Sequence, residues 1–96
     1  IDTRMTVDFK CKDTQTLFST GKTRRWSAIK KVAERKLLLL DNATMLEDLK
    51  APPGNRLEAL SGDREGQHSI RINSQWRLCF VWTEQGATDV EIIDYH

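Results

Sequence analysis

The stretch HSIRINSQWRLCFVW, residues 68–82, constrains this chain more than any other part of it. Ile70 and Ile72 share one side of a period-two alternation. Trp76, Leu78, Phe80 and Trp82 share one side of another. Side chains of a strand point alternately to the two faces of a sheet. Both apolar sets reach one core only if Ile72 lies opposite Trp76 and Ile70 opposite Leu78, because a slip of one residue sends a whole set to solvent. The spacing therefore predicts a hairpin closed by residues 73–75. It also predicts Arg71 directly opposite Arg77 on the other, open face, flanked by Ser69 and Cys79. Like charges across a strand pair are unfavourable. An anion is expected there: either a carboxylate of the fold, such as Glu91, or a phosphate, which suits the planar fork of arginine donors. Arg64, in the glycine-bearing loop 61–67, is a further cation that can join them. The same alternation points His68 coreward, as a structural residue.

The rest of the chain supplies what this hairpin packs on. TVDFK (6–10) reads as a short strand. Asp13 or Thr14 can cap a short helix that Gly21 closes. A longer helix is predicted over 24–41, with Trp26, Ile29, Val32, Ala33, Leu37 and Leu40 on its buried face and Leu38 and Leu39 widening it. Residues 42–49 read as a short helical turn capped by Asn42 or Thr44, and Pro52, Pro53 and Gly54 end it. Further strands are predicted over 56–60 and 90–95, with 83–89 as a turn region. Helices followed by strands in meander spacing imply an α+β domain, its helices packed on a mostly antiparallel four- to five-stranded sheet.

Ninety-six residues make one domain. Residues 1–4 are read as a non-native remnant ahead of a start at Met5, which leaves 5–96 as that domain. The longest apolar run, Leu37 to Leu40, is far short of the roughly 20 residues that span a membrane, so no membrane partner is expected. Cys11 and Cys79 stand apart and outside any C-x-x-C, so reduced thiols in a cytoplasmic protein are expected, with no disulfide or zinc site. The net charge of +1 conceals a segregation. Residues 22–36 hold Lys22, Arg24, Arg25, Lys30, Lys31, Arg35 and Lys36 against Glu34. That run is either a solvated helix face or a surface for an anionic partner such as nucleic acid.

No P-loop and no metal-ligand spacing is present. The groups with chemical potential are Arg71, Arg77, Asp94, Tyr95 and His96. RNA cleavage by its own 2′-hydroxyl needs such groups and no cofactor. A base removes the 2′-OH proton, an acid protonates the leaving 5′-oxygen, and cations stabilise the phosphorane. A strand in the sheet can bring Tyr95 to the arginine face. By spacing alone, Asp-Tyr-His is equally a capped strand end.

The order LEALSGDREGQHSIRINSQWRLCFVW followed by VEIIDYH resembles the HigB-type toxins of bacterial toxin–antitoxin modules, in the RelE/ParE superfamily. The likeness lies in the LSGDREG loop (60–66), the SIRINSQWR hairpin (69–77) and the closing DYH, and PPGNRLEAL resembles the GraT-like branch. The resemblance implies a compact RelE-like domain that cleaves mRNA in the ribosomal A site without metal or other cofactor. It implies a HigA-type helix-turn-helix antitoxin, through which the complex reaches operator DNA, and a bacterial cytoplasmic location. It implies that Arg77 faces the scissile phosphate and that Asp94, Tyr95 and His96 are catalytic. Arg24, Arg25, Lys30, Lys31 and Arg35, with Arg64 and Arg71, would then bind ribosomal RNA or message. The chain departs from the family's pattern at Glu58, where a histidine is expected, and at Ser61, where a lysine is. Glu58 is an alternative proton acceptor, and the loss of a cation at position 61 implies a slow toxin. Isolated message is expected to be a poor substrate. The alternatives are a ParE-like inhibitor of a topoisomerase without nuclease chemistry, and a weakly active RNA-binding variant.

Overall fold

A computed structural model describes residues 8–94. Two helices, α1 (Lys12–Thr20) and α2 (Lys30–Asn42), pack on a four-stranded antiparallel sheet. Its strands are β1 (Glu58–Ala59), β2 (His68–Arg71), β3 (Trp76–Thr83) and β4 (Gly86–Asp94), and their order in the sheet is their order in the chain. The α+β architecture is the expected one. No helix among the described residues is long and apolar enough to cross a membrane.

The hairpin register is also as expected. Ile70 pairs with Leu78 and Arg71 with Arg77, and the Ile72 amide donates to the Trp76 carbonyl at 2.9 Å. Ile70, Ile72, Leu78 and Phe80 are buried, and Trp76 and Trp82 pack on the core's margin. His68 stacks on Phe80, ring centroids 6.3 Å apart, so it does turn coreward. From α2, Ala33, Leu37 and Leu40 meet this face, the four- and three-residue steps of a single helical stripe.

Four boundaries differ from expectation, each for a local reason. The helix expected from residue 24 begins only at Lys30. The Thr23 hydroxyl accepts from the Trp26 amide at 3.0 Å, a 3-10 turn follows over Ser27–Ile29, and Trp26 is buried edge-on to Trp76. The strand expected over 6–10 is, among the described residues, a single parallel bridge of Phe9 to Val90, because α1 starts three residues later. Positions 6 and 7 lie outside the described residues. The strand expected over 56–60 shrinks to Glu58–Ala59, since Arg56 adopts a left-handed φ of 47°. The turn expected over 83–89 is only Glu84 and Gln85. The Thr83 hydroxyl closes it by accepting from the Gln85 amide and donating to the Gly86 carbonyl. β4 therefore begins early and carries a bulge: Cys79 pairs with Glu91 but Val81 with Thr88, and Asp89 takes a φ of 53°.

Capping also differs. Asp13 sits in the first turn of α1, where a carboxylate suits the helix dipole, and Cys11 holds the cap position. Gly21 closes the helix in a left-handed conformation, as expected. In the following turn at Leu46–Lys50 the cap is Met45. The Asp48 carboxylate reaches back to the amides of Thr44 and Met45, which holds its pKa below the usual carboxylate range.

Thr14 is fully buried and ties α1 to β4: its hydroxyl accepts from the Ile92 amide at 3.2 Å. Thr14→Val keeps the shape and removes the acceptor. Leaving a buried amide unpaired costs about 1–3 kcal/mol. Urea denaturation should show that loss as a lower midpoint at unchanged slope; an unmoved midpoint would mean that another acceptor takes the amide.

Candidate active site

The register arranges the outer face of the sheet in two rows. One crosses all four strands: Glu58 pairs with Ser69, Ser69 with Cys79, and Cys79 with Glu91. The other holds Arg71, Arg77 and Ile93. Parity alone brings these side chains together, from residues up to 35 positions apart in the sequence.

This face was expected to be open, and at Arg77 it is not. The turn Pro53–Asn55 packs against β2, and Arg77 is only 5% exposed. Its Nε donates to Ser69 Oγ at 2.7 Å. Its Nη2 donates to the Arg56 carbonyl at 2.6 Å and reaches the Ser69 carbonyl at 3.4 Å. The Glu58 carboxylate lies 3.8 Å from the same guanidinium. A buried charge needs partners of this kind.

The carboxylate expected for the arginine pair is therefore Glu58, on β1, and not Glu91. Glu91 is taken by Arg64 at 2.9 Å, with Lys10 at 3.8 Å. Arg64 also donates to Gln67 Oε1 at 3.0 Å, and its hydrogen bond to Glu91 raises its pKa above the ordinary guanidinium value. Cys79, beneath these charges, is buried, and burial pushes its thiol up to about 11. It is no nucleophile.

Arg71 has no carboxylate within 4.0 Å among the described residues. It stands close enough to Lys36 to act on it. Burial first, then Arg35 and Arg71, lower the Lys36 pKa, and its ammonium donates to Asn55 Oδ1. Asn55 is fully buried and donates in turn to the carbonyls of Leu49 and Ala51, which holds the 53–55 turn in place over β2.

A cleft of about 370 Å³ opens at Glu58, the carboxylate that lies 3.8 Å from Arg77. Glu58, Ser61, Arg64, Ile93 and Asp94 line it. Asp94 is exposed and accepts from Gln75 Nε2 at 3.1 Å. By alternation it belongs with Trp76, its cross-strand partner, rather than with the Arg77 row. Tyr95 and His96 lie outside the described residues. Glu58, Arg64 and Asp94 thus line one cleft, and Arg77 is joined to it through Glu58.

The basic residues of 22–36 border three different clefts. Arg24 and Arg25 lie ahead of α2 and line a cleft with Asp13 and Lys22. Arg25 stacks on Trp26, 4.8 Å from its ring centroid, and pairs with Asp13 at 3.4 Å. Lys30 and Lys31 border a second cleft, and Arg35 with Lys36 a third. No cluster of His, Cys, Asp and Glu with metal-holding geometry occurs among the described residues.

Two contributors escaped sequence reasoning: the Ser69 hydroxyl and the Arg56 carbonyl. The first was implicit in the register. Ser69 pairs with Cys79, so Arg77 is its diagonal neighbour, within reach of a long side chain. The second depends on the left-handed Arg56, for which the sequence carries no glycine or asparagine signal.

The chain is similar to known proteins. A family model described as the RelE-like toxin of type II toxin–antitoxin system HigB matches residues 7–96. The chain is 42% identical over 82 residues to the protein named Toxin HigB-1 of Vibrio cholerae, covering 83% of this chain and 86% of that one. It is 33% identical over 94 residues to the Endoribonuclease HigB of Proteus vulgaris, covering 96% of this chain and all of its relative.

Proposed function

The chain belongs to the family of RelE-like HigB toxins of type II toxin–antitoxin systems, and from that premise we propose that it is an endoribonuclease cutting mRNA in the ribosomal A site. A toxin of this class has an antitoxin partner. We infer that the partner is a HigA-type helix-turn-helix protein, that operator DNA is reached only through it, and that the setting is the bacterial cytoplasm.

One observation supports the assignment of the site: Glu58 lines the cleft and also lies 3.8 Å from the Arg77 guanidinium, so the cleft and that cation share one carboxylate. The proposed reaction is an internal transfer. A base takes the 2′-OH proton, the 2′-oxygen attacks phosphorus, and the bond to the 5′-oxygen breaks. That oxygen leaves with a proton from the acid, giving a 2′,3′-cyclic phosphate and a 5′-hydroxyl. Arg77 bears the charge that builds on the phosphorane. Glu58 is suited to the base role, and Asp94, Tyr95 and His96 complete the set, with His96 as the acid. The chemistry needs only these side chains, so we infer independence of metal. Arg71 and Arg64, with Arg24, Arg25, Lys30, Lys31 and Arg35, would hold RNA phosphates. Their dispersal over several clefts fits a folded RNA surface, read through its backbone, better than a single strand.

Primer extension on a reporter message in a purified translation system tests this, with and without ribosomes, and on isolated complexes in EDTA. Cuts within codons only in the presence of ribosomes are expected. Arrested growth in cells without message cleavage would sink the nuclease reading and point to topoisomerase inhibition.

A further inference from the structure

We propose that Ser69 is a positioning residue that aims Arg77 at the reacting phosphate, an inference that rests on the nuclease reading above. An arginine side chain is long and its guanidinium turns freely unless it is held. Here two of its nitrogens are held along one edge. Nε donates to Ser69 Oγ at 2.7 Å and Nη2 to the Arg56 carbonyl at 2.6 Å. Two bonds from different atoms of a planar group fix both its plane and its rotation within that plane. The Ser69 carbonyl, 3.4 Å from Nη2, adds to the same hold.

The place of Ser69 in the sheet makes it suited to the task. It is fully buried, so no water competes for the hydroxyl. It stands between Glu58 on β1 and Cys79 on β3, one diagonal step from Arg77. A small hydroxyl residue at the centre of this row meets the guanidinium while its Nη2 lies 3.8 Å from Glu58, the carboxylate that lines the cleft. Its across-strand neighbour cannot do the same work. A thiol is a weak acceptor, and burial keeps Cys79 protonated.

Positioning predicts a loss in turnover rather than in binding. For Ser69→Ala on ribosome-bound message, kcat should fall roughly 10- to 100-fold, as a misaimed catalytic group does. KM should stay within about threefold, because the ribosome continues to present the message. Ser69→Cys fills nearly the same volume with a poor acceptor, and should show the same loss without disturbing the fold. Ser69→Thr keeps the hydroxyl and should recover most of the turnover. In an Arg77→Ala background, Ser69→Ala should add less than about threefold, since residues that act as a unit are not additive.

Wild-type turnover in Ser69→Cys overturns the proposal. So does an undiminished effect of Ser69→Ala in the Arg77→Ala background, which would mean that the hydroxyl merely supports the fold. A wild-type protein that cuts no message on ribosomes overturns the nuclease reading instead, and the two failures are told apart by that control.

Discussion

Arg77→Ala is expected to lower message cleavage on ribosomes by roughly 10³-fold, the scale seen when a group that stabilises transition-state charge is removed. The guanidinium is held at both Nε and Nη2, and a preorganised charge is worth far more than one that must reorient. Arg77→Lys should fare little better. A lysine carries the charge, but its donors sit on a single nitrogen and lack the planar fork that meets Ser69 and Arg56 from two separate atoms. Arg64→Ala should cost much less, because Arg64 is committed to Glu91 and Gln67. Single-turnover cleavage assays measure these effects, with antitoxin binding and thermal melting as controls for the fold. The melting control matters: removing Arg77 leaves the buried Ser69 hydroxyl without its donor and frees the Arg56 carbonyl. A folded Arg77→Ala protein that cleaves within about threefold of wild type would remove Arg77 from the mechanism.

What the sequence discloses here follows from where its apolar pattern is regular. The hairpin of β2 and β3 alternates without interruption, so its register, and with it the Arg71–Arg77 pair, could be derived before any coordinate was known. β4 could not be bounded in this way. Its core residues are Ala87, Val90 and Ile92, a spacing of three and then two, because the bulge at Asp89 absorbs an extra residue. A period of two is invisible across a bulge. The start of α2 failed for another reason. The apolar stripe does continue upstream to Trp26, but Thr23 and the 3-10 turn carry Trp26 into the core by a different backbone path. Burial was legible there and helicity was not.

The site shows the same division. Parity placed Arg77, Ser69, Cys79 and Glu91 on one face, and all four are there. Alternation says which face a side chain takes but nothing of what lies over that face. The cover comes from the 53–56 segment, held by Asn55 through three hydrogen bonds to α2 and the preceding turn. Such contacts join residues without periodic relation, so no pattern announces them. Hence Arg77 was expected at an open surface and lies buried. Glu58, which the resemblance singled out, is the carboxylate beside it.

That pairing bears on how the two proton transfers are divided. In the proposed reaction Glu58, which lines the cleft, is the carboxylate that accepts the 2′-OH proton. The leaving 5′-oxygen then needs a separate acid. Histidine is the side chain that titrates near neutrality, so it can hold and release a proton under cellular conditions. His96→Gln, which keeps a hydrogen-bonding group but no transferable proton, should lower kcat by about 10²- to 10⁴-fold, the usual worth of general acid–base catalysis. The wild-type rate should decline on the alkaline side as the acid is lost, and the variant's profile should lack that limb. A message with sulfur in place of the 5′-bridging oxygen separates the roles further, because a thiolate leaves without protonation. If His96 is the acid, that substrate restores His96→Gln to nearly the wild-type rate while Glu58→Gln stays slow. Restoration of Glu58→Gln instead would reverse the two assignments. Full activity of His96→Gln on the ordinary message would take the imidazole out of the reaction.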